Sequence, residues 1–148
     1  MATESPPSRS RRKQARPGEL LAAALDCFAE KGFAATRMEE IARRAGVAKG
    51  TFYLYFPSKE AVFEALVREN ILPRLEALEA AGQVPGLGAA ERLRAILAGV
   101  CLVIGNPRLV AIPKLVMAEA GNFPDMARFY RKEVIERGLH LLGAILRD

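Results

Sequence analysis

Four polar side chains in the short segment KGTFYLY, residues 49–55, are of types that bind nucleic acids. The Lys49 ammonium can donate hydrogen bonds to a phosphate or to an acceptor atom on a base edge. The Thr51 hydroxyl can form hydrogen bonds with either. The hydroxyls of Tyr53 and Tyr55 can serve in the same way. Gly50 lies among them and costs a helix roughly 1 kcal/mol relative to alanine, but it allows a backbone to approach a ligand closely. The segment therefore predicts a helix that enters the major groove of DNA.

A first short helix is predicted just before this segment. Thr36 and Glu39 have the T-x-x-E spacing of a capping box, so the helix should start at Arg37. Gly46 can take a positive φ and should end it in a tight turn, where Val47 would fill the angle between two helices. Its buried face should consist of Met38, Ile41, Ala42 and Ala45.

The second helix should run from Ala48 to Tyr55. Ala48, Phe52 and Phe56 recur at i, i+4 and i+8, which predicts that they face inward. The polar set would then lie on the outer face. Period alone also fits an ordinary helical hairpin with a solvated outer face.

The residue string itself resembles the signature of the TetR family of bacterial transcriptional regulators. That family shows a Gly-Val turn, a segment like K-G-T-x-Y-x-Y-F, and a lysine that opens the next helix. The matching positions are Gly46, Val47, Lys49, Gly50, Thr51, Tyr53, Tyr55, Phe56 and Lys59. The resemblance covers about Arg16 to Leu72, and it implies a three-helix, helix-turn-helix DNA-binding head at residues 17–72.

The resemblance also implies which residues meet DNA. Lys59 and the N-terminus of its helix would hold a phosphate, and Arg37 would reach a phosphate or a base edge. The expected DNA-binding residues are Arg37, Lys49, Gly50, Thr51, Tyr53, Tyr55 and Lys59.

Charge is unevenly distributed along the chain. The net charge is +5, and residues 1–74 hold 13 Lys or Arg against 9 Asp or Glu, whereas residues 75–148 hold 9 against 8. Residues 1–16 are rich in Pro, Ser and Arg and should form a disordered basic arm, which can touch phosphates or the minor groove. This excess of positive charge in residues 1–74 favours a polyanionic partner.

The rest of the chain reads as helix, without sustained strand alternation. About seven helices are expected, with a long fourth one at 59–81 that Pro73 should kink or break. The sixth of these helices, at 107–120, should begin at Asn106-Pro107. Cys27 and Cys101 have apolar neighbours and no CxxC partner, so both are expected to be reduced residues of the core.

Residues 108–133 resemble part of the ligand-binding domain of one TetR subgroup, which implies a regulatory region at 73–148. In the family, two further helices build a four-helix bundle across the dimer axis, and the sequence ends at Asp148, before them. We therefore expect either a truncated chain, which would dimerise weakly or aggregate, or a dimer formed in another way. The family's cavity is apolar and accepts lipophilic effectors.

Catalysis has little support in the sequence. His140 is the sole histidine, no Cys/His/Asp cluster has metal-ligand spacing, and no Gly-rich phosphate loop occurs, so neither an enzyme nor a cofactor is expected. The longest uncharged apolar run, Ala95 to Pro107, is shorter than the ~20 residues of a spanning helix, and the N-terminus lacks the apolar stretch of a secretory signal. A cytoplasmic protein without membrane contact is expected.

These features favour an all-α, sequence-specific DNA-binding transcriptional regulator, a repressor released by a small lipophilic effector. It would act as a homodimer on a pseudo-palindromic duplex. The alternative is an all-α protein–protein adaptor that does not bind DNA, which salt-dependent binding to random duplex would exclude.

Overall fold

The computed structural model describes residues 16–147, and all regular structure in that range is helical. The all-α prediction is confirmed. The predicted basic arm, apart from Arg16, lies outside the described residues. The helices are α1 Pro17–Lys31, α2 Met38–Arg44, α3 Lys49–Tyr55, α4 Lys59–Asn70, α5 Leu72–Gly82, α6 Ala89–Ile104, α7 Pro107–Glu119, α8 Pro124–Tyr130 and α9 Arg137–Arg147, with a π-helical segment Arg131–Glu136 joining α8 to α9.

Proline divides the predicted fourth helix into α4 and α5. α4 ends at Asn70, and Ile71 lies between the two helices with φ −103°. Pro73 stands in the first turn of α5, where its missing N–H breaks no helical hydrogen bond. The predicted break is therefore confirmed, between Asn70 and Leu72.

The start of α2 differs from the prediction. Thr36 is buried and its hydroxyl donates to the carbonyl of Gly32 at 2.7 Å, which closes the end of α1. Arg37 is the N-cap, and its N–H donates to the Glu40 carboxylate at 3.2 Å. The predicted Thr36–Glu39 capping box was wrong, because the threonine hydroxyl is already used by the preceding helix.

A single buried cluster joins the head to the C-terminal region. The rings of Phe28, Phe33, Phe52 and Phe63 lie at its centre and are essentially inaccessible to solvent. α7 and α8 contribute side chains to the same cluster: Ile112, Leu115, Val116, Met126 and Tyr130. Head and C-terminal region are therefore packed around a common core.

The helical period of residues 89–104 predicts a buried set, and that prediction is largely wrong; the set is Leu93, Ile96, Leu97, Val100, Cys101 and Ile104. Of its apolar side chains, Ile96 is buried, whereas Leu97, Val100 and Ile104 are exposed. Cys101 is exposed as well, which corrects its predicted place in the core, while Cys27 is a buried free thiol as predicted. α6 contacts α5, α7 and α9, and the helical period could not show that these neighbours cover only part of its apolar surface.

Within residues 16–147, no single helix is long and apolar enough to cross a membrane. The pair α6 and α7, which is bent by 87° at its junction, meets the length and composition required only when the two are taken together.

Candidate nucleic-acid interface

α2 and α3 form a helix-turn-helix with the turn predicted from Gly46. Gly46 has φ +72°, a conformation that side chains with a Cβ rarely adopt. The next amide, of Val47, donates to the carbonyl of Ala42 at 3.0 Å, and the Val47 side chain packs against the core. The turn thereby fixes the angle between the two helices.

α3 is anchored by one face and exposed on the other. Phe52 is 0% exposed and Phe56 is also buried, whereas Leu54 is 86% exposed. Ala48 was predicted to face inward but is exposed, because it is the N-cap residue and precedes the first helical turn. The short helix is thus held by aromatic burial and presents its other side to solvent.

Five of the predicted DNA-binding residues lie on α3, four of them exposed and Thr51 half-buried. This set is Lys49, Gly50, Thr51, Tyr53 and Tyr55. The helix N-terminus, where Lys49 and Gly50 stand, is the end that a recognition helix presents to base edges.

Lys49 is held by an ion pair with α2. Its ammonium lies 2.7 Å from the Glu39 carboxylate and 5.8 Å from the centre of the Tyr53 ring. The hydrogen bond from Lys49 lowers the pKa of Glu39, and the same bond raises the pKa of Lys49. Because the pair is exposed, a phosphate or a base edge can replace Glu39 as the partner of Lys49 at little cost.

Arg37 and Arg43 lie at one exposed cavity of about 400 Å³ on α2, together with Glu39 and Glu40. The DNA-binding residues predicted from the sequence include Arg37 but not Arg43. The spacing could have revealed it, since Arg43 follows Glu39 by four positions and therefore shares the face of α2 that contacts Lys49. The neighbouring Arg44 is engaged elsewhere, with both of its terminal nitrogens 2.7 Å from the Glu30 carboxylate.

Lys59 is placed differently from the α3 set. It is the first residue of α4, where Ser58 is the N-cap and accepts a hydrogen bond from the Ala61 amide at 3.1 Å. The Lys59 ammonium donates to the carbonyls of Phe33 and Ala34 in the turn between α1 and α2. Phosphate contact by Lys59 stays a prediction.

Nothing within residues 16–147 forms a group of three or more His, Cys, Asp or Glu side chains that could hold a metal ion. His140 lies exposed on α9. The chemistry that the α2–α3 surface offers is hydrogen bonding and charge pairing, which suits a phosphate backbone and base edges.

Comparison with known proteins identifies relatives of this helix-turn-helix. Residues 20–66 match the family described as bacterial regulatory proteins, tetR family. The HTH-type transcriptional regulator RutR of Escherichia coli K12 is 46% identical over 68 residues, which are 46% of this chain and 32% of that protein. The chain thus aligns with about a third of the length of that relative.

Two longer matches extend into the C-terminal region. The fatty acid metabolism regulator protein of Bacillus subtilis is 28% identical over 138 residues, covering 92% of this chain and 70% of that one. The crystal structure of the transcriptional regulator FadR from Bacillus subtilis, in complex with stearoyl-CoA, superposes with a TM-score of 0.74 and 26% identity, covering 89% and 69% of the two chains.

Proposed function

Because this chain belongs to the TetR family of bacterial regulatory proteins, we propose that it is a sequence-specific DNA-binding transcriptional regulator. It acts as a cytoplasmic repressor that a small lipophilic effector releases from DNA. The observation that carries the proposal is α3, a short helix anchored by buried Phe52 whose exposed side carries Lys49, Gly50 and Tyr53. RutR of Escherichia coli and the fatty acid metabolism regulator of Bacillus subtilis are both regulators.

Recognition begins when the N-terminal end of α3 enters the major groove. Lys49 and Thr51 read base edges there, and Gly50 lets the backbone come close. The hydroxyls of Tyr53 and Tyr55 form hydrogen bonds with phosphates or bases. Arg37 and Arg43 on α2 contact the phosphates that flank the groove, which fixes position without reading sequence.

A homodimer is part of the proposal, because a single seven-residue recognition helix contacts few bases. Two copies would read half-sites of a pseudo-palindrome whose centres lie roughly 34–36 Å apart, or a multiple of that, on one side of the duplex.

The test is selection of bound duplexes from a random pool, followed by titration at several salt concentrations. We expect an inverted repeat and an affinity that falls steeply as salt rises, since bound phosphates release counterions. An adaptor would select no sequence and would bind no random duplex. A single unrepeated site bound tightly by a monomer would contradict the dimer.

Gly50→Ala is expected to stabilise the protein and weaken DNA binding at the same time. Within residues 16–147, and apart from the backbone of its own helix and its chain neighbours, no atom lies within 4 Å of the position that a Cβ on Gly50 would occupy. The folded chain therefore has room for alanine and gains up to about 1 kcal/mol of helix propensity. The added methyl would instead meet the DNA. Urea denaturation and operator titration measure the two effects.

Gly46→Ala is the matched control, because Gly46 has φ +72° and alanine there is strained. It should lower stability, in contrast to Gly50→Ala. Unchanged operator affinity in Gly50→Ala would argue against close approach of the α3 backbone to DNA.

A cavity of about 580 Å³ between α5, α6 and α9 supports the effector part of the proposal. Leu141, Ala144 and Ile145 give it an apolar wall, and Arg92 and His140 add polar groups at its lining. Its size and mixed lining suit a small organic ligand. The related FadR structure from Bacillus subtilis holds stearoyl-CoA, which is why a lipophilic compound is proposed.

Ala144→Trp is expected to reduce release by the effector without altering operator binding. Ala144 lines the cavity and is exposed, so an indole there fills ligand space without entering the core. With stearoyl-CoA as the first probe of an apolar panel, the concentration needed for release should rise roughly tenfold, the equivalent of about 1.4 kcal/mol. Leu146→Trp, on an exposed position of the same helix outside the cavity, is the control. Equal sensitivity of Ala144→Trp and wild type would place the effector elsewhere.

A further inference from the structure

Lys59 occupies a site built for its ammonium group. The Nζ atom donates to the carbonyl oxygen of Phe33 at 2.8 Å and to that of Ala34 at 3.1 Å. It also lies 4.9 Å from the centre of the Phe33 ring and 5.8 Å from that of Phe123. Two carbonyl acceptors and two aromatic faces are an environment that stabilises a cation. Immobilising a lysine costs rotamer entropy, so these contacts must offset that loss.

The partners of Lys59 come from two separate parts of the chain. Phe33 and Ala34 belong to the turn between α1 and α2, residues 32–37, whereas Phe123 belongs to the loop between α7 and α8, residues 120–123. The Phe33 and Phe123 rings meet edge to face, with their centres 4.8 Å apart. In the same turn, the Ala34 amide donates a hydrogen bond to the Glu119 carboxylate at the end of α7, at 3.5 Å. Together these residues form what we call the Lys59 joint: Lys59, Phe33, Ala34, Glu119 and Phe123.

The turn is firmly attached to the helices that would read DNA. Phe33 is 0% exposed and packs against Phe28 and Phe63. Thr36 ties the other end of the turn to the carbonyl of Gly32, and α2 begins two residues later. α2 then packs against α3. A displacement of the α7–α8 loop would therefore reach α2 and α3 through a short series of close contacts.

We propose that Lys59 is a positioning residue, which sets the orientation of α2 and α3 by joining the α1–α2 turn to the α7–α8 loop. The inference rests on the proposed function for its effect on DNA, but the joint itself exists without DNA. It assigns Lys59 an action on recognition through Phe33 and Phe123, in place of the phosphate contact that the sequence predicts. The C-terminal region then influences DNA affinity through residues that touch neither DNA nor effector.

Two variants test the joint, each with the full chain. Lys59→Met keeps a long apolar stem but removes the ammonium, and Phe123→Leu keeps an apolar side chain but removes the ring. Lys114→Met, at an exposed position of α7, is the control for loss of one charge. The readouts are amide hydrogen exchange of residues 33–37 without DNA, and affinity for the selected operator and for random duplex at several salt concentrations.

Both joint variants should accelerate exchange in the turn and lower the ratio of operator to random affinity by a similar factor, roughly 2- to 30-fold. Their salt slopes should stay close to that of the wild type. Lys114→Met should change neither the exchange nor the ratio.

Two results would overturn the proposal. One is wild-type exchange and wild-type ratio in Phe123→Leu. The other is equal weakening of operator and random DNA in Lys59→Met with a salt slope lower by about one unit, as a lost phosphate contact produces. If the wild type bound no duplex at all, the proposed function would fail, and hydrogen exchange alone would still decide whether the joint holds the turn.

Discussion

Phe52→Ala is expected to destabilise the protein by roughly 3–5 kcal/mol, the usual cost of removing a fully buried aromatic side chain. Phe52 is 0% exposed and its ring centre lies 5.5 Å from that of Phe56. Because Phe52 anchors α3 to the core, its loss leaves the helix without a fixed orientation. Specific DNA binding should disappear even where the folded population remains large, and urea denaturation with operator titration measures both effects.

Leu54→Ala provides the control on the same helix. Leu54 is 86% exposed, so its truncation removes little buried surface and should change stability by less than about 0.5 kcal/mol. Similar losses of stability in the two variants would mean that α3 is not anchored through Phe52.

Thr51→Ala and Lys49→Ala are expected to remove discrimination at particular base pairs. A good contact to a base edge is worth roughly 5- to 150-fold in preference for the correct base. Arg43→Ala should instead weaken binding to all sequences alike and lower the salt slope by about one unit, because a phosphate contact carries no sequence information. Titration of the selected operator and its single-base variants separates the two classes.

Glu39→Gln is the informative companion of Lys49→Ala. It removes the negative partner of Lys49, which lies 2.7 Å away, but keeps the lysine. Affinity for DNA should rise without loss of discrimination, since the ammonium no longer has to exchange one anion for another. If Arg43→Ala changed the preference among sites while Lys49→Ala and Thr51→Ala did not, the proposed roles would be reversed.

Local signals in the sequence predicted much of this fold. Gly46 and Pro73 each act on their own few residues of backbone, and the turn and the break occur where they were expected. The apolar stripe of α1 is buried throughout for another reason, which is that α2, α4 and α7 all contact that helix and together cover it.

The failures share a different physical origin. Thr36 could have capped α2, but a carbonyl of the preceding turn takes its hydroxyl. The helical period of α6 showed which apolar residues share a face. Whether other helices bury that face depends on neighbours that are distant in sequence. The acceptors of Lys59 lie 25 and 26 positions earlier in the chain, so no short motif could indicate them.

The core shared by the head with α7 and α8 has a thermodynamic consequence. Ile112 and Tyr130 are buried in the same cluster as Phe28 and Phe63, so the head cannot lose its packing independently of the C-terminal region. The head, α7 and α8 should therefore unfold as one cooperative unit, in a single calorimetric transition. A compound that binds to α7 or α8 then raises the melting temperature of α1–α4 as well, by mass action, although it touches none of their side chains.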